Sequence, residues 1–317
     1  MLKQVIFLLE EPAYPVKELR MRLDALSRNL IAFSSRDVRG IENSALLTSV
    51  KDAENAYREI RTRTDKDTTL FATNIPSLAA TICEDGAYCI GLIEGAATED
   101  GFPGVRFLFA EFDEVEPDSY VKAYQRLANE PWTILESERC ILRETTVADV
   151  EAFYNIYKEP AITEYMEGLF EDPEDEKRYT ADYIDKVYAL MGYGVWTVID
   201  KASGEVIGRA GFSLRGGFAE PEIGFLIAVP YQRKGYATEV INACLKYGKE
   251  MLFFETVQAL VKDNNTESIH LLKKCGFMPE KEVSIEENIY GNDYTGERVV
   301  GLSEIKYGSY LLMKKRL

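Results

Sequence analysis

The sequence predicts two α/β domains in tandem, a small parallel one over residues 1–130 and a mixed-sheet one over 131–317. Three observations lead there. A chain of 317 residues exceeds the usual size of one domain. Before Asn129-Glu-Pro-Trp132, short apolar runs alternate with amphipathic helical patterns; after it, three strands follow one another without a helix between them. Pro131 biases Glu130 away from helix and so marks the boundary.

In the first domain Val5-Ile-Phe-Leu-Leu9 is a fully apolar run, as expected of a strand covered on both faces. Val16 to Leu30 has the period of an amphipathic helix, Leu30 to Ser34 reads as a strand, Lys51 to Thr62 as a helix, and Thr69 to Thr73 as a strand. A helix near Pro76 to Cys83, strands at Tyr88–Leu92 and Val105–Phe109, and a helix at Asp118–Asn129 complete it. In the second domain Ile134 to Glu144 is a two-part strand, Thr146 opens a helix through Lys158, and a longer helix covers Asp172 to Leu190. Strands at Tyr193–Ile199, Glu205–Leu214 and Glu222–Val229 come in meander order, which favours antiparallel pairing. Then follow a helix (Gly235–Lys249), a strand (Thr256–Val261), a helix (Thr266–Cys275) and strands at Glu282–Ile289 and Tyr307–Met313.

Composition excludes several functions. Asp and Glu number 53 against 37 Lys and Arg, for a net charge of −16. The excess is shared, 22 acids against 15 bases before Pro131 and 31 against 22 from it onward. Neither half offers the basic footprint of nucleic-acid binding. The one histidine, His270, excludes a His-cluster metal site, and no metal is expected. Cys83, Cys89, Cys140, Cys244 and Cys275 are odd in number and form no CxxC, which reads as reduced core thiols of a cytoplasmic protein. The apolar run at the N-terminus is too short for a signal sequence, and no stretch approaches the ~18 apolar residues of a membrane span.

The chemistry concentrates in Pro221-Glu-Ile-Gly-Phe-Leu-Ile-Ala-Val-Pro-Tyr-Gln-Arg-Lys-Gly-Tyr-Ala-Thr-Glu239. A strand stops at Pro230, and Gln232-x-x-Gly235-x-Ala237 leads straight into a helix whose Ala237, Val240, Ile241, Cys244 and Leu245 share a face. Free N–H groups and the positive dipole end make such a helix start an anion site, and Gly235 lets backbone approach closely. The spacing is not that of a nucleotide P-loop. A second segment, Val257 to Val261 followed by Lys262-Asp-Asn-Asn265-Thr-Glu-Ser268, opens a short helix closed by Lys274-Cys-Gly276-Phe277. Asn264 and Glu267 fit an N-cap and N3 capping box, which leaves Asn265 and Ser268 without a structural role. Gly276 reads as a C-cap.

Gln232-x-x-Gly235-x-Ala237 together with Asn265-x-x-Ser268 and Lys274-Cys-Gly276-Phe277 resembles the GNAT acetyltransferase superfamily. The opening Cys140-Ile-Leu-Arg143-Glu-Thr-Thr-Val-Ala-Asp149 and the strand Glu222-Ile-Gly-Phe225 resemble its RimJ/RimL-like branch. The resemblance covers roughly residues 133–317. It implies a mixed, splayed sheet that binds acetyl-CoA between its fourth and fifth strands. By the same resemblance, backbone amides of Gln232, Arg233, Lys234, Gly235, Tyr236, Ala237 and Thr238 would hold the pyrophosphate. Backbone at Leu226, Ile227, Ala228 and Val229 would pair with pantetheine, and Asn265, with Ser268 beside it, would bond to the pantetheine arm.

Acetyl transfer to an amine needs a neutral amine, a polarised carbonyl and a proton for the leaving thiolate. Glu222 is the candidate base, acting through water; the alternative is a solvated strand carboxylate. Many relatives carry a Tyr seven residues after the motif Asn, but Leu272 stands there, which leaves Ser268 or water as the proton donor. Acceptor recognition falls to Thr163–Tyr193, with Tyr165, Tyr179, Tyr183 and Tyr188 and the acidic run Glu171 to Glu176. That run also fits a helix start, with Asp172 as N-cap and Pro173 at N1.

The first domain resembles a haloacid-dehalogenase-type or other Rossmannoid half, but Leu8-Leu-Glu10-Glu-Pro12 stands where a phosphatase of that class needs DxD. An accessory role in substrate choice or dimerisation is therefore expected. The leading functional reading is an acetyl-CoA-dependent N-acetyltransferase of a small-molecule or protein N-terminal amine. The rival is a non-catalytic acyl-CoA-binding regulator.

Overall fold

β1 (Gln4–Glu10) is apolar from Val5 to Leu9 because it lies inside a sheet covered on both faces, with strands on either side of it. The computed structural model describes residues 1–10, 16–33, 45–47, 50–93, 101–287, 293–296 and 306–317. They fall into two compact units, Met1–Glu130 and Pro131–Leu317.

In the first unit β1 is followed by α1 (Val16–Phe33), β2 (Ala45–Leu47), α2 (Val50–Arg61), β3 (Thr69–Thr73), α3 (Pro76–Glu84), β4 (Tyr88–Ile93), β5 (Leu108–Ala110) and α4 (Pro117–Leu127). All strand pairs are parallel, in the order β2-β1-β3-β4-β5. This is a doubly wound order whose direction reverses between β1 and β3. Alternation divides the core: Val5, Phe7 and Leu9 meet Leu26, Leu30, Tyr120 and Tyr124, while Ile6 and Leu8 meet Tyr57, Leu78 and Ile82.

The expected strand at Leu30–Ser34 is instead the last turn of α1 as far as Phe33; Ser34 lies outside the described residues. Leu26 and Leu30 are i, i+4 neighbours that share one buried cluster, so the helical period continues through the apolar run. β2 escaped the sequence reading, being only three residues long. The strand at Val105–Phe109 shortens to β5 on the sheet edge. Glu11 and Pro12 also lie outside the described residues.

The second unit runs β6 (Thr133–Glu136), β7 (Cys140–Arg143), α5 (Val150–Tyr157), α6 (Pro160–Thr163), α7 (Pro173–Tyr183), a π turn (Ile184–Tyr188), α8 (Ala189–Met191), β8 (Val195–Asp200), β9 (Val206–Ser213) and β10 (Glu222–Ile227). Then come α9 (Tyr236–Glu250), β11 (Thr256–Lys262), α10 (Thr266–Lys274), β12 (Met278–Glu287) and β13 (Lys306–Arg316). The eight strands order as β12-β13-β11-β10-β9-β8-β7-β6. β8 to β10 form the expected antiparallel meander, β7 and β6 continue the sheet antiparallel beyond β8, β10 pairs parallel with β11, and β13 inserts antiparallel between β11 and β12. Ile289, placed in the penultimate strand by the sequence, lies outside the described residues.

On one sheet face Trp196, Ala210, Phe212 and Ile223 bury the α9 stripe of Val240, Ile241, Cys244 and Leu245. The opposite face carries polar residues, and there α5 is anchored by Asp149. Thr146 and Asp149 form a reciprocal capping box, and Arg143 grips both Asp149 oxygens at 2.6 and 2.7 Å. Burial pushes the Asp149 carboxyl up, but Arg143, the Thr146 N–H and the Thr197 hydroxyl outweigh it and hold it below the usual range. A carboxylate depressed on folding contributes stability above its unfolded value of about 3.9, and loses it as the pH falls through the folded value. Asp149→Asn should therefore flatten the loss of stability below about pH 4 in urea unfolding. Parallel acid limbs in the two proteins would assign the loss to other carboxyls. No helix among the described residues is long and apolar enough to cross a membrane.

Candidate active site

The site begins where the large sheet splits. β10 and β11 share a single register pair, Glu222 with Gln258, reinforced by the Gln258 N–H donating to the Pro221 carbonyl at 2.9 Å. Beyond it β10 stays fully paired with β9, and β11 with β13, so the two inner edges part. The Ala228 N–H donates to the Ile207 carbonyl in β9. By antiparallel alternation Leu226 and Ala228 thus turn their backbone toward β9, while Phe225 and Ile227 turn theirs toward the gap. Of the segment named from the sequence, Ile227 is the strand residue that offers its backbone edge to the opening. Phe225, just before that segment, joins it.

The wide end of the gap is closed by the turn into α9. A 3-10 turn spans Val229–Tyr231, and the Gln232 carboxamide donates to the Ile227 carbonyl at 2.8 Å, which folds the loop against its own strand. Arg233 and Gly235 both adopt positive φ, 58° and 88°. Gly235 is the N-cap of α9 and supplies no capping side chain. The first N–H groups of the helix, on Tyr236, Ala237 and Thr238, therefore stand without an intrahelical acceptor, with the positive dipole end behind them.

Positive side chains surround that helix start. Arg139, in the turn between β6 and β7, donates through Nη1 to the Lys234 carbonyl at 3.0 Å and stacks 4.1 Å from the Tyr236 ring centroid. Glu239 in the first turn of α9 fixes it, accepting from Arg139 Nε and N–H and from the Ser137 hydroxyl, each at 2.7 Å. Burial raises the Glu239 carboxyl, but those donors overcome it and leave it below the ordinary range. Arg139 escaped the sequence reading because nothing in its spacing links it to a helix 100 residues away. The exposed Arg233 pairs with Glu267 of α10 at 2.7 Å.

At the apex Glu222 is buried, at 8% exposure, and both its oxygens accept from Arg215, Oε2 from Nε at 2.6 Å and Oε1 from Nη2 at 3.3 Å. Arg215 also went unnoticed in the sequence. Asn265, not Asn264, is the N-cap of α10, and its side chain accepts from the Ser268 N–H at 3.1 Å. The expected capping box at Asn264 and Glu267 is thus corrected by one position, since the backbone leaves the extended strand one residue later. Asn265→Ala should cost the second unit about 1 kcal/mol, with Asn265→Asp close to wild type, read from urea midpoints. Equal midpoints for Ala and wild type would contradict that cap.

Leu272 is fully buried in the core, Ser268 is half-buried and His270 exposed. Four of the cysteines are buried, Cys275 among them, whereas Cys83 is exposed. Among the described residues no cluster of His, Cys, Asp or Glu could hold a metal.

Over the polar face lie α5, α6 and α7. Asp172 caps α7 as expected, accepting from the Glu174 N–H at 2.9 Å, with Pro173 at N1. Much of the acidic run is engaged in the fold: Asp175 accepts from the Tyr294 N–H at 3.0 Å, and Glu176 is buried against the Phe170 N–H. Tyr183 and Tyr188 also serve the fold. The Tyr183 hydroxyl accepts from the Val195 N–H at 2.9 Å, and that of Tyr188 donates to the Val195 carbonyl at 2.6 Å. Tyr179 remains half-buried beside Phe170.

Residues 139–278 match a family model described as "Acetyltransferase (GNAT) domain". The uncharacterized N-acetyltransferase YoaA of Bacillus subtilis is 31% identical over 166 residues, covering 50% of this chain and 89% of that protein. The uncharacterized N-acetyltransferase p20 of Bacillus licheniformis is 30% identical over 152 residues, 46% of this chain and 83% of its own. A crystal structure of a GNAT-family acetyltransferase from Bacillus anthracis aligns with a TM-score of 0.44 at 23% identity, over 57% of this chain and 97% of that one.

Proposed function

The chain belongs to the GNAT acetyltransferase family, and from that premise we propose that residues 131–317 transfer an acetyl group from acetyl-CoA to a primary amine of a small molecule or of a protein N-terminus. Within the family we place it in the RimJ/RimL-like branch, on the Cys140–Asp149 opening. The observation that carries the reading is the single-register parting of β10 and β11 at Glu222 and Gln258, with the uncapped start of α9 at its wide end.

These residues suit acetyl-CoA as substrate. The amides of Gln232 to Thr238 and the nearby Arg139 would meet the pyrophosphate, and Ile227 and Phe225 would pair with pantetheine along the open strand edge. Asn265 uses its carbonyl oxygen as the helix cap and has its amide N–H groups left to donate to the pantetheine arm, with Ser268 adjacent. The amine nitrogen attacks the thioester carbonyl carbon; the C–N bond forms and the C–S bond breaks. The amine proton leaves to Glu222 through water. The CoA thiolate takes its proton from water or from Ser268. Amides on the gap edge of β10 stabilise the oxyanion.

Residues 1–130 act as an accessory domain in substrate choice or self-association. Incubating the full chain with acetyl-CoA and a mixed amine and peptide library, followed by mass spectrometry, tests the reading. An acetylated primary amine is the expected product. Acetyl-CoA binding without turnover would point instead to an acyl-CoA-binding regulator, and thioester loss without acetylated acceptor to plain hydrolysis.

A further inference from the structure

On the polar face of the second unit, Glu222, Gly224 and Leu226 of β10 lie opposite Ser213, Gly211 and Arg209 of β9. Gln258 of β11 stands beside Glu222 on the same face. Two donors on this face are sealed from solvent and have no hydrogen-bond partner: Arg209 Nε on one flank of β10 and Gln258 Nε2 on the other. Between them the face is open, since a methyl group on Gly224 would meet no atom within 4 Å.

Arg209 is the more demanding of the two. Its guanidinium lies 4.7 Å from the Phe153 ring centroid, so α5 covers its flat side, while Nε is left without a partner. Among the described residues no ion pair is formed with it. Glu176 faces it without forming an ion pair; burial pushes its carboxyl up, and that group already accepts from the Phe170 N–H. The Tyr188 hydroxyl nearby is committed to Val195 and Thr145. A guanidinium whose Nε is sealed from water and that forms no ion pair is costly, whereas its edge matches an oxyanion in shape and charge.

We propose that the open face over Gly224 is the acceptor subsite and that Arg209 binds an oxyanion, carboxylate or phosphate, carried by the acceptor amine. This rests on the acetyltransferase reading and narrows its substrate to amines that also bear an anionic group. Arg209 and Glu222 are offset by four residues, about 13 Å of strand. The Arg209 side chain and the water through which Glu222 acts take up part of that distance, so the anion and the reacting amine are the two ends of one small molecule. In spite of the net charge of −16, the subsite disfavours purely cationic acceptors.

The test uses the full chain with four amines: 4-aminobutyrate, O-phosphoethanolamine, n-butylamine and spermidine. Turnover is expected to favour an oxyanion-bearing amine over butylamine by about 30-fold in kcat/KM, a charge-assisted contact of about 2 kcal/mol. Whichever of the two acidic amines is preferred identifies the anion. Arg209→Gln should collapse that preference to within about 3-fold, with Arg209→Lys intermediate. A wild-type preference for spermidine or butylamine, or a preference that survives Arg209→Gln, overturns the proposal. Should no amine be acetylated, the Arg209 Nε–H resonance, identified by its loss in Arg209→Lys, gives an independent readout. A shift on adding 4-aminobutyrate or O-phosphoethanolamine, but not butylamine, upholds the subsite while the transferase reading fails; no shift with either overturns it.

Discussion

Replacing Glu222 by Gln is expected to lower kcat/KM for amine acetylation by about 10²–10⁴-fold, the range of a lost general base. Gln keeps the size of the side chain and leaves the packing of this 8%-exposed position intact. It removes the proton acceptor at the point where β10 and β11 part. Because that interaction acts on the transition state, kcat should fall with kcat/KM while the affinity for acetyl-CoA holds. Arg215 complicates the exchange, since the new amide turns N–H donors toward a guanidinium that now faces the carboxylate. Thermal unfolding of the variant separates this cost in stability from the loss of chemistry. Unchanged kcat/KM across pH would remove Glu222 as the base and leave its pairing with Arg215 as its role.

Gly235→Val should weaken acetyl-CoA binding by about 100-fold, about 2.7 kcal/mol. Gly235 holds φ at 88°, and an L-residue there costs about 1–2 kcal/mol. A β carbon would sit 3.4 Å from Arg139 Nη2, in van der Waals contact with the cation that leans over the helix start. The rest of the loss comes from a branched side chain beside the N–H groups that would face phosphate. Gly235→Ala is expected to fall between the two. Calorimetric titration of acetyl-CoA into the folded variants reads the effect; a Val variant that binds like wild type would show that the anion site lies elsewhere.

How far the sequence reaches depends on the range of the interaction. Val240, Ile241, Cys244 and Leu245 declare α9 through their own spacing, and Pro230 with Gly235 declares the turn before it, because these signals lie within a few residues of each other. The Leu30–Phe33 run failed for the opposite reason. A short apolar stretch suits either period, and the packing of Leu26 with Leu30 in a distant cluster decided for helix. The one-residue shift from Asn264 to Asn265 has the same origin, since the point at which the backbone leaves β11 is set by the sheet.

By itself the sequence determined two α/β domains, the meander, the strand-turn-helix with its exposed N–H groups, and the family. Each follows from periodicity, capping and backbone conformation, which neighbours along the chain control. Only the tertiary structure decided that Glu222 is held by Arg215, that Arg139 leans over the start of α9, and that Phe225 and Ile227 turn their amides to the gap. It alone left Arg209 and Gln258 with sealed, unpartnered donors on one face. Those facts depend on strand order, register and burial, which bring together side chains from separate strands and loops, and the cost of isolating a polar group from water is set there.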